Sequence, residues 1–571
     1  MTETLPAPAA SDRADPPAAD RGPSAAGAIV ASLRAHGTDR VFCVAGESYL
    51  AILDEFYDTS DVHVVTCRHE GSAALAALTD GKLTGRPGVC LVSRGPGVAN
   101  AAIAVHAAAQ DAAPLLLIVG QVPTTDLGRG AFQELDCERA FGEIAKLVLT
   151  LHDPTRAAEF VGRALRAAQS GTPGPALLVV PEDVLERPAK PGDVSASWPE
   201  AGPGPGDVRD AADMLRLARR PLVIAGGRLG SAVGRRALAE AARRHELPVL
   251  TSNKNQDLFD NRDVHYAGHL HNNTQQSQRA AFDDADLVLA VGTRLDDTTT
   301  GRQRFPRGPV PRQPLIQVYP DGQCLGLSCR PALGVCADPA AFLDHLAGGE
   351  PGPLPAQRRA WVERLHDLEV RKAQWEPREA EDGIAFGAVI AVLDELTDGD
   401  TVVTVDSGTY TSWVYRYLRL SGAGRLIGVS SSPMGFGLPA GIAAALRLRR
   451  HVVVVVGDGG LLMSAGELIT AVGLDLPVIV IVADNGSYGT IRMHQEKRYP
   501  GRTIATDLIN PDFVQMARSF GMLGLRVSDV DDIEPCLTRA FAHQGPTLIA
   551  VRTSLSWITA YRRLIPREAR R

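Results

Sequence analysis

The sequence predicts an α/β protein made of three doubly wound parallel-sheet domains, and three observations carry that prediction. Short apolar runs of strand length alternate with alanine-rich amphipathic stretches along most of the chain, the pattern of parallel sheets covered by helices on both faces. At 571 residues the chain exceeds what one hydrophobic core usually serves. Two Pro/Gly-rich interruptions, near 187–207 and 348–357, divide it into three parts of domain size. The expected domains are 26–187, 205–348 and 380–560, after a disordered tail at 1–25 rich in Ala, Pro and Asp.

In the first part the runs VFCVAG, HVVTC, GVCLVS and PLLLIVG read as strands, alternating with the helical stretches YLAILDEF, EGSAALAALTDGKL and NAAIAVHAAAQ. The middle part repeats the pattern with PLVIAGG, LPVLTS, ADLVLAVGTR and LIQVYPD. In the last part VVTV, HVVVVVG and PVIVIVA are continuous apolar runs, as expected of strands buried on both faces. No sequence repeat is visible between the first and last parts; similar topology without similar sequence stays open.

Composition sets limits on partners. The chain is 45% hydrophobic and 22% charged with a formal net charge of -7, which gives no sign of nucleic acid or an anionic membrane as partner. Its eight cysteines are scattered without CxxC or metal-ligand spacing and read as reduced core residues of a cytoplasmic protein. The N-terminal stretch lacks a basic start and an apolar h-region, so neither a signal peptide nor an anchor is expected. The longest apolar runs are too short to span a bilayer.

The chemistry concentrates in three turns of the last part. After the strand beginning at Val452, Gly457, Asp458, Gly459 and Gly460 make a turn that leads into a helix expected near Leu461. Glycines there let the backbone approach a bulky anion, and a helix N-terminus offers unpaired N–H groups to phosphate. An aspartate beside phosphate repels it unless a cation intervenes, so Asp458 is read as a ligand of Mg²⁺ or Ca²⁺. The next strand ends in Asp484-Asn485-Gly486, which brings the Asn485 amide oxygen and the Ser487 carbonyl to the same edge of the sheet as further ligands. A third turn, VVTVDSGTY, places Asp406, Gly408 and Thr409 to hold the same diphosphate.

GDG followed 27 positions later by Asn485 resembles the thiamine diphosphate (ThDP) motif, and GFGLPAGIAAALRLRRHVVVVVGDGG is similar to the longer signature leading into it. The resemblance implies ThDP and Mg²⁺ as cofactors, an N-terminal pyrimidine-binding domain and a C-terminal diphosphate-binding domain. It also implies a glutamate that bonds the aminopyrimidine ring and favours loss of the thiazolium C2 proton. In HVVTCRHEGSAALAAL that residue is Glu70, whose bland reading is a first-turn acid on a helix dipole. Met434 in SSPMGFGLPAG stands where the family supports the cofactor with a bulky apolar side chain. Because the family pairs domains of two subunits, a homodimer or homotetramer with interfacial sites is expected.

Within the family the chain most resembles the catalytic subunit of acetolactate synthase, over nearly everything after about residue 26. AFQE at 131–134 is similar to the synthases' own AFQE, which makes Gln133 and the downstream Lys146 catalytic candidates. GTRLDDTTTG resembles their flavin-contacting stretch and nominates Arg294, so FAD, ADP or an empty central site are the expectations. Departures lie at SRGPG and DNGSYGTIRMHQE, where Arg94, Arg492 and His494 replace family residues and the two arginines become candidate carboxylate binders. The implied reaction is decarboxylation of a 2-oxoacid, pyruvate first, and ligation to a second 2-oxoacid. The alternative is a ThDP-dependent decarboxylase or lyase of the benzoylformate decarboxylase or glyoxylate carboligase kind.

Overall fold

Apolar strand sequences dictate three six-stranded sheets in which every strand pair is parallel. The computed structural model describes residues 23–190, 192, 201–349 and 352–564. Most of the expected tail (1–22) and parts of both interruptions (191, 193–200, 350–351) lie outside the described residues. A helix starts at Ala25, inside the span expected as tail, because the Ser24 side chain accepts the Gly27 N–H as an N-cap.

The N-terminal sheet consists of β1 (Arg40–Cys43), β2 (His63–Thr66), β3 (Gly88–Val92), β4 (Leu115–Gln121), β5 (Leu147–Thr150) and β6 (Pro175–Pro181), in the order β2-β1-β3-β4-β6-β5. The central sheet holds β7 (Pro221–Ala225), β8 (Val249–Thr251), β9 (Tyr266–His269), β10 (Leu287–Val291), β11 (Leu315–Tyr319) and β12 (Leu333–Cys336), ordered β12-β11-β10-β7-β8-β9. This is the dinucleotide-fold order, with its switch point between β7 and β10. The C-terminal sheet, of β13 (Val402–Val405), β14 (Arg425–Ile427), β15 (Val452–Gly457), β16 (Val478–Asp484), β17 (Leu523–Val527) and β18 (Thr547–Arg552), runs β14-β13-β15-β16-β18-β17. The first and third sheets therefore share one topology, although their sequences show no repeat.

Val452 to Val456 and Val478 to Val482 are all fully buried, which explains their unbroken apolar character: helices cover both faces of these central strands. The alanine-rich helices Glu70–Thr84 and Gly437–Leu448 meet in a single apolar cluster that joins the first and third domains. Small side chains allow that close approach. Around it, Arg447 donates to Asp39 at 2.6 and 2.7 Å and to Asp80 at 2.7 and 2.8 Å, tying the same two domains together. Six cysteines are buried as expected, but Cys336 is exposed and Cys536 half-buried, so these two are not core residues; all eight are free thiols.

Candidate active site

In open parallel sheets, ligands bind at the carboxyl ends of the strands where the strand order reverses. In the C-terminal sheet that point lies between β13 and β15, and the turns there are Asp406–Thr409 and Gly457–Gly460. The helix after β15 starts at Asp458 itself, not near Leu461, because Gly457 takes the extended N-cap conformation and Asp458 opens the first turn. A Cβ on Gly457 would stand 2.8 Å from the Tyr410 ring, and one on Gly459 would stand 2.6 Å from Tyr488. Positions 457 and 459 of the cradle thus favour glycine.

Asp458 is 3% exposed and burial pushes its carboxyl pKa up, with a hydrogen bond from Asn510 opposing the shift. Asn510 Nδ2 donates to both Asp458 Oδ2 and Asp484 Oδ1 at 2.8 Å, while its own Oδ1 is buried without a partner. Asn485 Oδ1 accepts the Ser487 N–H at 3.0 Å, and the Ser487 carbonyl accepts the Gly489 N–H at 2.7 Å. The edge therefore gathers carboxylate, amide and carbonyl oxygens with one orphaned acceptor, the donor chemistry of a hard cation such as Mg²⁺. No group of three or more His, Cys, Asp or Glu side chains that could hold a metal occurs among the described residues. Sequence reading overlooked Asn510 and Asp484; Asn510 lies 52 residues from Asp458, with no local signal linking them.

Asp406 is 1% exposed, and its carboxylate accepts the backbone N–H groups of Ser407, Gly435 and Gly437. Burial raises its pKa to about 6 against these bonds. It is committed to holding the turn that follows Met434, which is half-buried. The Thr409 N–H donates to Thr490 Oγ1 at 3.1 Å, and Gly408 packs under Tyr410.

In the N-terminal sheet the reversal lies between β1 and β3. Glu70 opens the helix after β2, with Oε2 accepting Asn100 Nδ2 at 2.9 Å, and a Cβ on Gly97 would stand 3.6 Å from Oε1. The preceding turn is held from the third domain: Glu467 Oε1 accepts the N–H groups of Arg68 at 3.0 Å and His69 at 3.1 Å, and Oε2 accepts the Thr470 hydroxyl at 2.7 Å. Glu467 is 1% exposed and went unassigned in the sequence, since nothing local marks its partners nearly 400 residues away.

Gln133 has a left-handed backbone (φ 62°), and its carbonyl accepts the Gly95 N–H at 2.9 Å, which places it against the turn after β3. Lys146 is not brought to that edge. It precedes β5 at the amino end of the sheet, where Nζ donates to the Ser170 carbonyl at 2.5 Å and burial lowers its pKa. Neither arginine suggested as a carboxylate binder is unpaired: Arg94 holds Glu47 and Glu182, and Arg492 holds Asp507. His494 is exposed.

The switch point of the central sheet opens onto a cavity of about 650 Å³ lined by all three domains, with Arg228, Arg235, Lys254, Arg294 and Arg425 in its walls. Gly226 lets β7 approach the Gly292 carbonyl, which a Cβ would meet at 2.4 Å. Arg294 Nη2 donates to the Gln110 carbonyl at 2.5 Å. Five aspartates, Asp111, Asp257, Asp296, Asp338 and Asp344, share the walls with these cations; the glycine turn and the arginines beside it are the features that fit a nucleotide diphosphate.

Paired sheets of one topology, a glycine cradle with a cation-type donor set on one and a glutamate on the other define a two-domain diphosphate-cofactor enzyme, and family comparison names it. The chain belongs to the thiamine pyrophosphate enzyme family: the N-terminal TPP binding domain matches residues 23–140, the central domain 208–346 and the C-terminal TPP binding domain 406–551. Among its relatives, the acetolactate synthase large subunit of Parasynechococcus marenigrum (strain WH8102) is 32% identical over 92% of this chain and 87% of that one. The acetolactate synthase isozyme 2 large subunit of Escherichia coli (strain K12) is 29% identical, covering 92% and 94%. The probable acetolactate synthase large subunit of Methanocaldococcus jannaschii is 28% identical, covering 92% and 91%.

Proposed function

We propose that the protein is a ThDP- and Mg²⁺-dependent acetolactate synthase-like carboligase, which decarboxylates a 2-oxoacid, pyruvate first, and joins the remaining fragment to a second 2-oxoacid. The observation that supports this best is the pairing of the Asp458–Asn510–Asp484 cluster with the Gly457–Gly460 cradle in a chain that aligns over 92% of its length with an acetolactate synthase large subunit. When bound, ThDP supplies the electron sink for loss of CO₂.

The protein's own residues would do the rest. Asp458, Asn485 and the Ser487 carbonyl would hold Mg²⁺, with Asn510 orienting Asp458 through the bond described above. Gly408, Thr409, Gly457, Gly459 and Gly460 would admit the diphosphate, and Met434, set by Asp406, would support the rings. Glu70 would hold the proton that passes to and from the aminopyrimidine, and Gln133 would line the substrate side. Lys146 lies too far round the sheet to act on substrate at its own chain's Glu70 edge, so a role for it requires a site completed by a second subunit. Arg294 and the central cavity are read as an FAD site, with ADP as the other nucleotide of suitable chemistry. A homodimer or homotetramer in the cytoplasm is the proposed setting. Among the described residues no helix is long and apolar enough to cross a membrane.

The test is NMR product analysis after incubating purified protein with pyruvate, ThDP and Mg²⁺, with and without FAD. Acetolactate is the expected product; acetaldehyde alone would replace the carboligase with a decarboxylase.

A further inference from the structure

The edge strand β14 ends at Ile427, and the chain that follows, residues 428–435, runs as a strap from the central cavity to the glycine cradle. Its first half lines the cavity: Ile427, Gly428 and Ser430 stand in the same walls as Lys254. Its far end reaches the cradle. Asp406 accepts the Gly435 N–H at 2.9 Å, and a Cβ on Gly435 (φ 85°) would stand 3.2 Å from Met463 Cβ, in the helix that Asp458 opens. Met434 lies one residue before that anchor.

Two other domains hold this strap. From the N-terminal domain, Lys82 Nζ donates to the Gly428 carbonyl at 2.7 Å, and Asp111, ion-paired with Lys82, accepts the Ser430 N–H at 2.9 Å. Lys254, of the central domain, holds the stretch just before Met434: Nζ donates to the Val429 carbonyl at 2.6 Å and to Ser432 Oγ at 2.8 Å. Ser432 has a left-handed backbone (φ 49°), which a non-glycine residue rarely takes unless its surroundings hold it there. Lys254 is itself packed in place. It is 7% exposed, and a Cβ on Gly428 would stand 2.9 Å from its Cδ. Burial lowers its pKa to about 8, against the pull of Asp111 and Asp406 and with Lys82 adding to the shift. An ammonium carries three donors, of which the strap takes two. A poorly hydrated cation in a cavity wall attracts an anion strongly.

We propose that Lys254 is a positioning residue for the cofactor: from the wall of the central cavity it fixes the strap that carries Met434, so that a nucleoside diphosphate in the cavity and ThDP at the cradle each tighten the other's binding. This rests on the reading of the Gly457–Gly460 cradle as the ThDP site. The sign of the coupling follows from the packing. A phosphate meets the ammonium where the strap already holds it, so the ligand that orders Lys254 and the strap first leaves less for the second to order. By linkage, the two affinities change by one common factor.

Calorimetry on the full-length protein with Mg²⁺ measures ThDP affinity with and without saturating nucleotide, ADP and FAD being used in turn, and nucleotide affinity with and without ThDP. In the wild type each ligand is expected to tighten the other about fivefold or more, by the same factor in both directions. Lys254→Met removes the ammonium and keeps the chain length; Ser432→Gly removes only the strap hydroxyl, at a backbone conformation that glycine adopts freely. Both variants are expected to bring the factor below about twofold, whereas a general loss of stability weakens each ligand without changing the factor between them. Ser432→Gly carries the test if Lys254→Met does not fold. A wild type in which the ligands bind independently or oppose each other, a folded variant that keeps the wild-type factor, or a protein that binds ThDP but neither nucleotide overturns the proposal and leaves the cofactor reading standing. A protein that binds no ThDP removes the cofactor reading and this inference with it.

Discussion

Replacing Glu467 tests whether the third domain sets the Glu70 turn. Alanine at this position strands three donors, the N–H groups of Arg68 and His69 and the Thr470 hydroxyl, in a place where the side chain is 1% exposed. Hydrogen bonds to a charged acceptor contribute about 1.5–3 kcal/mol each, and part of that returns when a buried carboxylate no longer has to be desolvated. The net expected loss is roughly 3–5 kcal/mol. Glutamine keeps Oε1 for both N–H groups, and Thr470 can rotate to accept from its amide, so about 1 kcal/mol is expected there. Urea unfolding of the cofactor-free protein measures both. C2 exchange of bound ThDP supplies a reading that overall stability does not move: the alanine variant is expected to exchange more slowly even where fully folded, and the glutamine variant to recover. Alanine within about 1 kcal/mol of wild type, or alanine and glutamine alike in exchange, would refute the positioning argument.

Acid stability is expected to depend on His271, whose pKa is pushed down from 6.5 to about 3 by burial and then by Lys372 and Arg279. The unfolded chain binds the proton that the folded one refuses, so this contribution is complete above about pH 6.5 and is lost as pH falls toward 3; His271→Asn should flatten that limb of a urea-stability titration. Arg447→Met breaks the clamp onto Asp39 and Asp80, whose side chains are 49% and 7% exposed, and is expected to cost about 2–3 kcal/mol by urea unfolding. Asp80 keeps Arg40 Nη1 at 3.2 Å in that variant, so adding Asp80→Asn is expected to recover little stability, since Arg40 then loses its carboxylate partner. Gly459→Ala drives a Cβ to 2.6 Å from Tyr488 and is expected to weaken ThDP binding at least tenfold, measured by quenching of intrinsic fluorescence.

The strands with continuous apolar runs were legible because their burial is written locally: β15 and β16 fall within a residue of the expected spans. The edge strands β5, β9, β12, β14 and β17 were not, since a short run carries no distinctive period, and the buried runs of β6 and β18 were not singled out either. The strand-end positions of Gly457, Asp458 and Asn485 were readable from strand–turn spacing, and Glu70 was nominated by the family resemblance around it. By itself the sequence determined the fold class, the glycine cradle and the identity of the cofactor, all of which rest on residues close together in the chain. Only the tertiary structure decided that the first and third sheets share one strand order, that Glu467 and Asn510 serve turns far from them in sequence, that Lys146 lies at the opposite edge, and that Arg94 is neutralised by Glu47 and Glu182. Each of these depends on which strands become neighbours, and that is settled by packing between segments many residues apart, which no local period encodes.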